Sequence, residues 1–313
     1  MRILIAGGGG YLGSALLKHL AGEHDCICFG HGTRFSDLSK ILPAAVEYVE
    51  GDVTDVHLLK KIMAGVDAVV HVAGTGGEAD CLANPTQSLL THVHGTHLLR
   101  REAQRNNVAK FIFTSTIAVY GTYQARPMPV TEDLEPRPDE FYGALKATAE
   151  RELIDSGCFK ILRLANVYGY GSGMFSLSSG VAGKFVDVIA RGEALRVFGD
   201  GSQLIDYVHI DDVCRAFELA LLTPPNQNFI FNVGGGQPIS ILNLAETTAR
   251  IAYDEVGRRA EIQHLPAPPD KLWPDRWLSI GNIEQRLGWS PTVSIEAGLR
   301  EMIVNWAGER VEA

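Results

Sequence analysis

A doubly wound α/β fold, built on one parallel sheet covered by helices on both faces, is the architecture this sequence predicts. Three observations carry the prediction. Short apolar runs alternate with helical patterns through the first half of the chain. A glycine-rich turn joins the first run to the first helix. Beyond residue 166 the alternation loosens, which predicts a smaller second lobe interleaved with the first.

The elements follow in order. RILIAG is a strand, and YLGSALLKHLAG is an amphipathic helix with Leu12, Leu16, Leu17 and Leu20 on one side and Gly22 near its end. CICFG, VEYVEGD and DAVVHVAG are the next three strands. A long helix over PTQSLLTHVHGTHLLRREAQRNN precedes a fifth strand, AKFIFTST. The helix EFYGALKATAERELIDSG then leads to a sixth strand, FKILRLANVYG. Strands this apolar, spaced by helices, are buried on both faces. Farther on, GYGSGMFSLSSG reads as a loop and GKFVDVIARGE as a helix. VHIDDVCRAFELALL reads as a turn and a helix returning to the first lobe, with Asp211 and Asp212 as its caps. LPAPPDKLWPDRW is too rich in proline for a regular element and is expected to cross the surface or mouth of the molecule.

Bulk properties narrow the function. The 313 residues are 46% hydrophobic and 21% charged, an ordinary globular composition. A formal net charge of −9 disfavours nucleic acid or an anionic membrane as the main partner and leaves room for a small anionic substrate in a local basic pocket. The five cysteines form no C-x-x-C pair and read as small buried groups in a reducing compartment. The first strand begins at residue 2, and no apolar run reaches membrane-spanning length. The expected location is cytoplasmic.

AGGGGYLG sets Gly7, Gly10 and Gly13 between the first strand and first helix. Glycine permits a tight turn and close approach to a pyrophosphate, whose charge suits a helix N-terminus. In this context the triplet predicts a Rossmann-type dinucleotide site, with Tyr11 and Leu12 at the start of the helix. Asp52 and Val53 after the third strand, and Val72, Ala73 and Gly74 after the fourth, complete the expected cofactor lining. Asp55 is the better helix cap of the GDVTD stretch. Residues 1–165 therefore read as the dinucleotide-binding lobe, with a return segment near 205–222, and 166–313 as mainly the substrate lobe.

YGALK places Tyr142 and Lys146 four residues apart on one helix face. The preceding strand ends in Ser115 and Thr116, and the C-terminal ends of parallel strands line the ligand crevice. Oxidation of an alcohol needs a base for the hydroxyl proton. A phenol, ordinarily near pKa 10, is moved toward working pH by a nearby ammonium. His92 and His97 are five apart, a poor spacing for a shared helical face, and no carboxylate cluster joins them and His94, so no metal is expected.

With these motifs and HVAG, STIAVYG, RLANVYG, GDGSQLIDYVHIDDV, FNVGGG and RLGWSPTVSIEAGLREM, the chain resembles, nearly end to end, the extended short-chain dehydrogenases of the NAD-dependent epimerase/dehydratase family. The resemblance implies action on nucleotide sugars, with Tyr142 as base, Lys146 on the nicotinamide ribose, Thr116 on the substrate oxygen and Asn166 in the substrate pocket. It also implies a homodimer formed by the helices at about 86–105 and 141–156. Three departures matter. Ile117 and Ala118 replace the Asp-Glu pair of 4,6-dehydratases, which sets dehydration aside. Ile205 stands where many relatives have a diphosphate-binding arginine, and a second arginine, before the stretch matching PPD (268–270), is also absent. Arg196, Lys184 and Arg276 are the candidate substitutes. Finally, no acid lies between Gly30 and Thr33, where NAD-preferring members hold the ribose 2′-hydroxyl, while Arg34 follows at once. The expected cofactor is NAD(P), with NADP favoured. An epimerase is the leading expectation, an NADPH-dependent ketoreductase of a 4-keto sugar the alternative, and a non-catalytic sensor the least favoured.

Overall fold

The computed structural model describes residues 1–32, 35–40, 42–122, 126–157, 159–171, 180–267 and 274–309, with the side chains of 35–37 and 307–309 outside that description. Arg34 and residues 268–270 thus lie outside the described residues.

The chain alternates as expected. β1 (Arg2–Ala6), α1 (Tyr11–Leu20), β2 (Asp25–Gly30), β3 (Glu47–Glu50), α2 (Val56–Ile62) and β4 (Ala68–His71) lead to α3 (Glu78–Ala83) and α4 (Pro85–Leu89). Asp55 caps α2 by accepting from the amides of His57 and Leu58. A π-helical turn over Leu90–Gly95 joins α4 to α5 (Thr96–Arg105), so the long helix is wound more loosely at its centre than its sequence indicates. β5 (Lys110–Thr116), α6 (Phe141–Asp155) and β6 (Lys160–Leu164) follow.

These strands form a seven-stranded parallel sheet. Its seventh strand comes from farther along, and the order is Phe229–Val233, β6, β5, β4, β1, β2, β3. The direction of winding reverses between β1 and β4, and ligand crevices open at such switch points beyond the strand ends. Side chains alternate across the sheet. Ile3 and Ile5 enter a core with α1, whereas Leu4 and Ala6 enter a second core with Leu98, Leu99, Ala149 and Leu153 of α5 and α6.

The later elements are β7 (Asn166–Tyr168), α7 (Val181–Ala190), β8 (Leu195–Phe198), β9 (Leu204–Ile205), β10 (Tyr207–His209) and α8 (Ile210–Leu222). After them come β11 (Phe229–Val233), β12 (Ile239–Ser240), α9 (Ile241–Val256), β13 (Ile262–Leu265), α10 (Gly281–Leu287) and α11 (Ile295–Glu309). A third core gathers Phe185, Leu195, Leu244, Ile251, Leu299 and Met302 from α7, β8, α9 and α11.

Three expectations are revised. The sixth apolar run breaks after Leu164 into β6 and β7, and β7 leaves the main sheet to pair with β10. The return to the first lobe is larger than 205–222, since β11 closes the sheet edge and Ile283 and Trp289 join the first core. Asp211 and Asp212 are not the caps of α8; His209 is, accepting from the Asp211 amide. Asp212 is fully buried and drawn instead to the amides of Thr292 and Val293 and to Arg215. Among the described residues, no helix is long and apolar enough to cross a membrane.

Candidate active site

At the switch point two backbones meet closely. Gly7 has φ +91°, and a β-carbon there would sit 2.5 Å from the Ala73 amide nitrogen. A β-carbon on Gly13 would lie 2.1 Å from the Gly7 carbonyl oxygen. The β1–α1 turn is therefore packed to the limit that glycine allows, against the Val72–Gly74 segment that ends β4. Gly10 is the N-cap of α1 and offers no side-chain acceptor, so the first helical amides remain for an anion. The Tyr11 hydroxyl donates to the Gly169 carbonyl at 2.9 Å, which fixes the helix start to the segment after β7.

Asp52 accepts from the amide and hydroxyl of Thr54, at 2.8 and 2.7 Å, and lies 3.3 Å from the His31 imidazole. Partial burial pushes its carboxyl up, but the Thr54 bonds and His31 outweigh this and hold it below the usual carboxylate range. Buried Val53 packs on Gly95 of the π turn, where a β-carbon would come within 2.5 Å of its methyl. A cradle free of β-carbons, with unclaimed helix amides and a fixed carboxylate beyond β3, fits a dinucleotide.

The three candidate catalytic residues converge at the end of β5. Thr116 stands close enough to the Tyr142 phenol to act on its pKa, lowering it. Thr116 also accepts from the Ala118 amide at 3.2 Å, which fixes its rotamer. Lys146 is buried; its Nζ donates to the Thr114 carbonyl at 2.9 Å and lies 4.8 Å from the centre of the Phe113 ring. Burial pushes this ammonium down to about 8, against the opposing effects of Cys81 and Glu150. For Tyr142 the direction differs from the sequence expectation. Burial, then the Cys81 thiol, pushes the phenol up to about 12, and Thr116 offsets only part. The reason is burial: the phenol loses its solvent, and Lys146, bonded to the Thr114 carbonyl, is not among the groups that lower it.

Two features had no signal in the sequence. Glu78 accepts from the amides of Phe141 and Tyr142, at 3.1 and 2.7 Å, and so caps the helix that carries the tyrosine. His92, buried on the π turn, meets the Tyr142 ring edge-on at 5.7 Å between centroids and bonds Thr75 through Nε2 at 3.2 Å. Burial, then Lys146, pushes this imidazole down to about 3, so it is neutral at physiological pH. Its partners are Thr75 and Cys81, whereas His97 bonds Glu152 and stacks with His94.

Next to this centre lies a cleft of about 570 Å³ whose lining includes Thr122, Glu140, Asn166, Lys184, Arg196 and Arg276. The sequence candidates Asn166 and Arg196 thus share one cavity with both other proposed cations. Asn166 is held there by its amide and side-chain nitrogen, both bonded to the Asp206 carbonyl. Arg276 bridges to Ile205 in parallel pairing, so a guanidinium arises beside the position where the expected arginine is missing. Its Nε is buried with no hydrogen-bond partner. Ser115 is 2% exposed, and its hydroxyl likewise has no partner; the residue lies within the strand and does not line this cleft.

The model of the NAD dependent epimerase/dehydratase family matches residues 3–234. The chain belongs to that family. It is an enzyme of the extended short-chain dehydrogenase type. A UDP-glucose 4-epimerase of Azospirillum brasilense is 28% identical over 97% of this chain and 91% of its own length. A UDP-glucuronate 4-epimerase of Thermodesulfobacterium geofontis is 30% identical over 85% of this chain and 80% of its own. Among solved structures, the UDP-glucose 4-epimerase of Thermotoga maritima with UDP-glucose superposes with a TM-score of 0.87, at 27% identity and full coverage of both chains. The Thermus thermophilus UDP-glucose 4-epimerase complex with NAD gives 0.84, at 26% identity over 98% of this chain and 99% of that one.

Proposed function

We propose that this enzyme is an NAD(P)-dependent nucleotide-sugar 4-epimerase, with Thr116, Tyr142 and Lys146 as its reaction centre. The observation that carries the reading is the convergence of Tyr142, Thr116 and Lys146 at the end of β5, beside a cleft holding Asn166 and three cations. Gly7, Gly10, Gly13, the helix start at Tyr11 and Leu12, Asp52, Val53 and the segment 72–74 would hold the dinucleotide, which when bound supplies hydride acceptance and return. Tyr142 takes the proton of the sugar 4-hydroxyl and later gives it back. Thr116 holds the same oxygen in line. Lys146, one helical turn from Tyr142, is the chain's own positive charge for lowering the phenol from about 12. Arg196, Lys184 and Arg276 hold the substrate diphosphate in place of the arginine replaced by Ile205.

Purified enzyme with UDP-glucose, followed by NMR, should form the 4-epimer. Tyr142→Phe should lose about 10²–10⁴-fold in rate with cofactor affinity retained. Net consumption of reduced cofactor on a 4-keto sugar, with no epimerisation, would instead establish the reductase.

Two finer readings accompany this. The absence of an acid between Gly30 and Thr33, with Arg34 following, supports NADPH binding at least as tight as that of NADH; relatives of known structure hold NAD, so paired titrations decide the point. Leu89 and Leu90, 48% and 37% exposed beside α6, support a homodimer through these helices, to be tested by light scattering.

A further inference from the structure

We propose that Glu140 makes the enzyme selective for nucleotide sugars whose hexose is uncharged or amino-substituted, and excludes uronic acids. This rests on the epimerase reading above.

Glu140 is the N-cap residue of α6, with extended backbone at φ −113° and ψ 148°. A short polar side chain such as Asp at that position ordinarily turns back to accept from the first helical amides. Here it makes no such bond. Glu78, brought in from α3, already accepts from Phe141 and Tyr142. The Glu140 carboxylate is thereby released from capping, and Glu140 lines the cleft with Thr122 and Asn166. No ion pair or hydrogen bond to its side chain occurs among the described residues. Thr122 beside it is already taken by Asp139, which accepts from its amide at 3.0 Å and from its hydroxyl.

Position along the cleft decides what this carboxylate meets. The backbone of Glu140 is two residues from that of Tyr142, where the reacting carbon must sit. The cations belong to the other lobe: Lys184 on α7, Arg196 on β8, and Arg276 bridged to β9. The diphosphate therefore lies toward the cations and the sugar toward Glu140. Sugar hydroxyls and ammonium groups donate to a carboxylate with charge assistance. A sugar carboxylate has no proton to donate and repels it at close range in a partly desolvated cleft. The family includes relatives acting on UDP-glucose and on UDP-glucuronate, so the distinction separates real alternatives.

The test compares kcat/KM for UDP-glucose and UDP-glucuronate in wild type, Glu140→Gln and Glu140→Ser, with both affinities measured by calorimetry. Wild type should favour UDP-glucose by about 100-fold, which is ~2.8 kcal/mol at 1.4 kcal/mol per tenfold. Both substitutions should lower that ratio at least tenfold, whatever they do to UDP-glucose itself. Equal use of the two sugars by wild type, or an unchanged ratio in both variants, would overturn the proposal. Turnover of neither sugar by wild type refutes the epimerase reading instead, and the affinities then judge Glu140 separately. Weaker wild-type binding of UDP-glucuronate, relieved in the variants, supports the assignment; equal wild-type affinities refute it.

Discussion

Replacing Lys146 by Met should abolish turnover and yet stabilise the cofactor-free protein at neutral pH. The ammonium is 4% exposed, and burial lowers its pKa from the ordinary 10.5 to about 8. At 1.36 kcal/mol for each unit of pKa, the charged form costs the fold ~3 kcal/mol. Met removes this cost, fills similar volume, and forfeits the Thr114 bond and the Phe113 contact, together ~1.5 kcal/mol. The net gain is about 1.5 kcal/mol. With about 2.1 cal/mol/K of unfolding entropy per residue, a chain of 313 residues should melt about 2 °C higher. The pH dependence follows from proton counting. Between about pH 8 and 10.5 the unfolded lysine is protonated and the folded one is not, so wild-type stability rises with pH across that window. The advantage of Lys146→Met should accordingly be full below pH 8, shrink above it and reverse at about pH 9.4, where the remaining charge cost equals the forfeited contacts. Differential melting curves at pH 7, 8.5 and 10, without cofactor, measure this. A variant less stable than wild type at pH 7, or a difference that does not change with pH, would refute the burial argument.

Glu150 and Arg163 form a fully buried bidentate pair extended through Tyr120 to Asn232, so Glu150→Gln should cost about 3–5 kcal/mol, measured by denaturant unfolding. Asp212 is held below its ordinary 3.8 because the Arg215, Val293 and Thr292 bonds outweigh burial. Asp212→Asn should therefore lose ~2 kcal/mol at pH 7, and the deficit should narrow as acidification below about pH 4 protonates the wild-type carboxylate, which melting at pH 3 to 7 will show. Gly13→Ala, with its β-carbon 2.1 Å from the Gly7 oxygen, should weaken NAD(P) binding at least tenfold in a cofactor titration, far more than Gly22→Ala, which meets nothing within 4 Å.

What the sequence revealed was local and repetitive. β1, β2 and β4 are short apolar runs, each followed by a glycine-containing turn. The Gly7–Gly13 loop and the Tyr142–Lys146 pair are short-range patterns as well. The parts that escaped are settled by distant neighbours. β11 is a strand because Phe229 pairs with Lys160 across 69 residues, and three-residue β7 is defined by its pairing with β10. Asp212 reads as a cap until Thr292, 80 residues away, takes its carboxylate. Arg276 was legible as one of three candidate cations, but its place in the cleft comes from a bridge to Ile205, 71 residues earlier.

The same long-range reasoning explains why the candidate centre cannot be judged from Y-x-x-x-K alone. Spacing puts Tyr142 and Lys146 on one face, but each group's readiness depends on what else it touches. Burial keeps the phenol protonated, at about 12, while the ammonium at about 8 is committed to a single carbonyl. For the proposed base, lowering the phenol takes positive charge beside it, and Lys146, one helical turn away, is the side chain proposed to supply that charge. Lys146 is tethered by one hydrogen bond and one ring contact, whereas the start of α6 is clamped by Glu78. Any adjustment of the proposed centre is therefore expected in the Lys146 side chain before the helix moves.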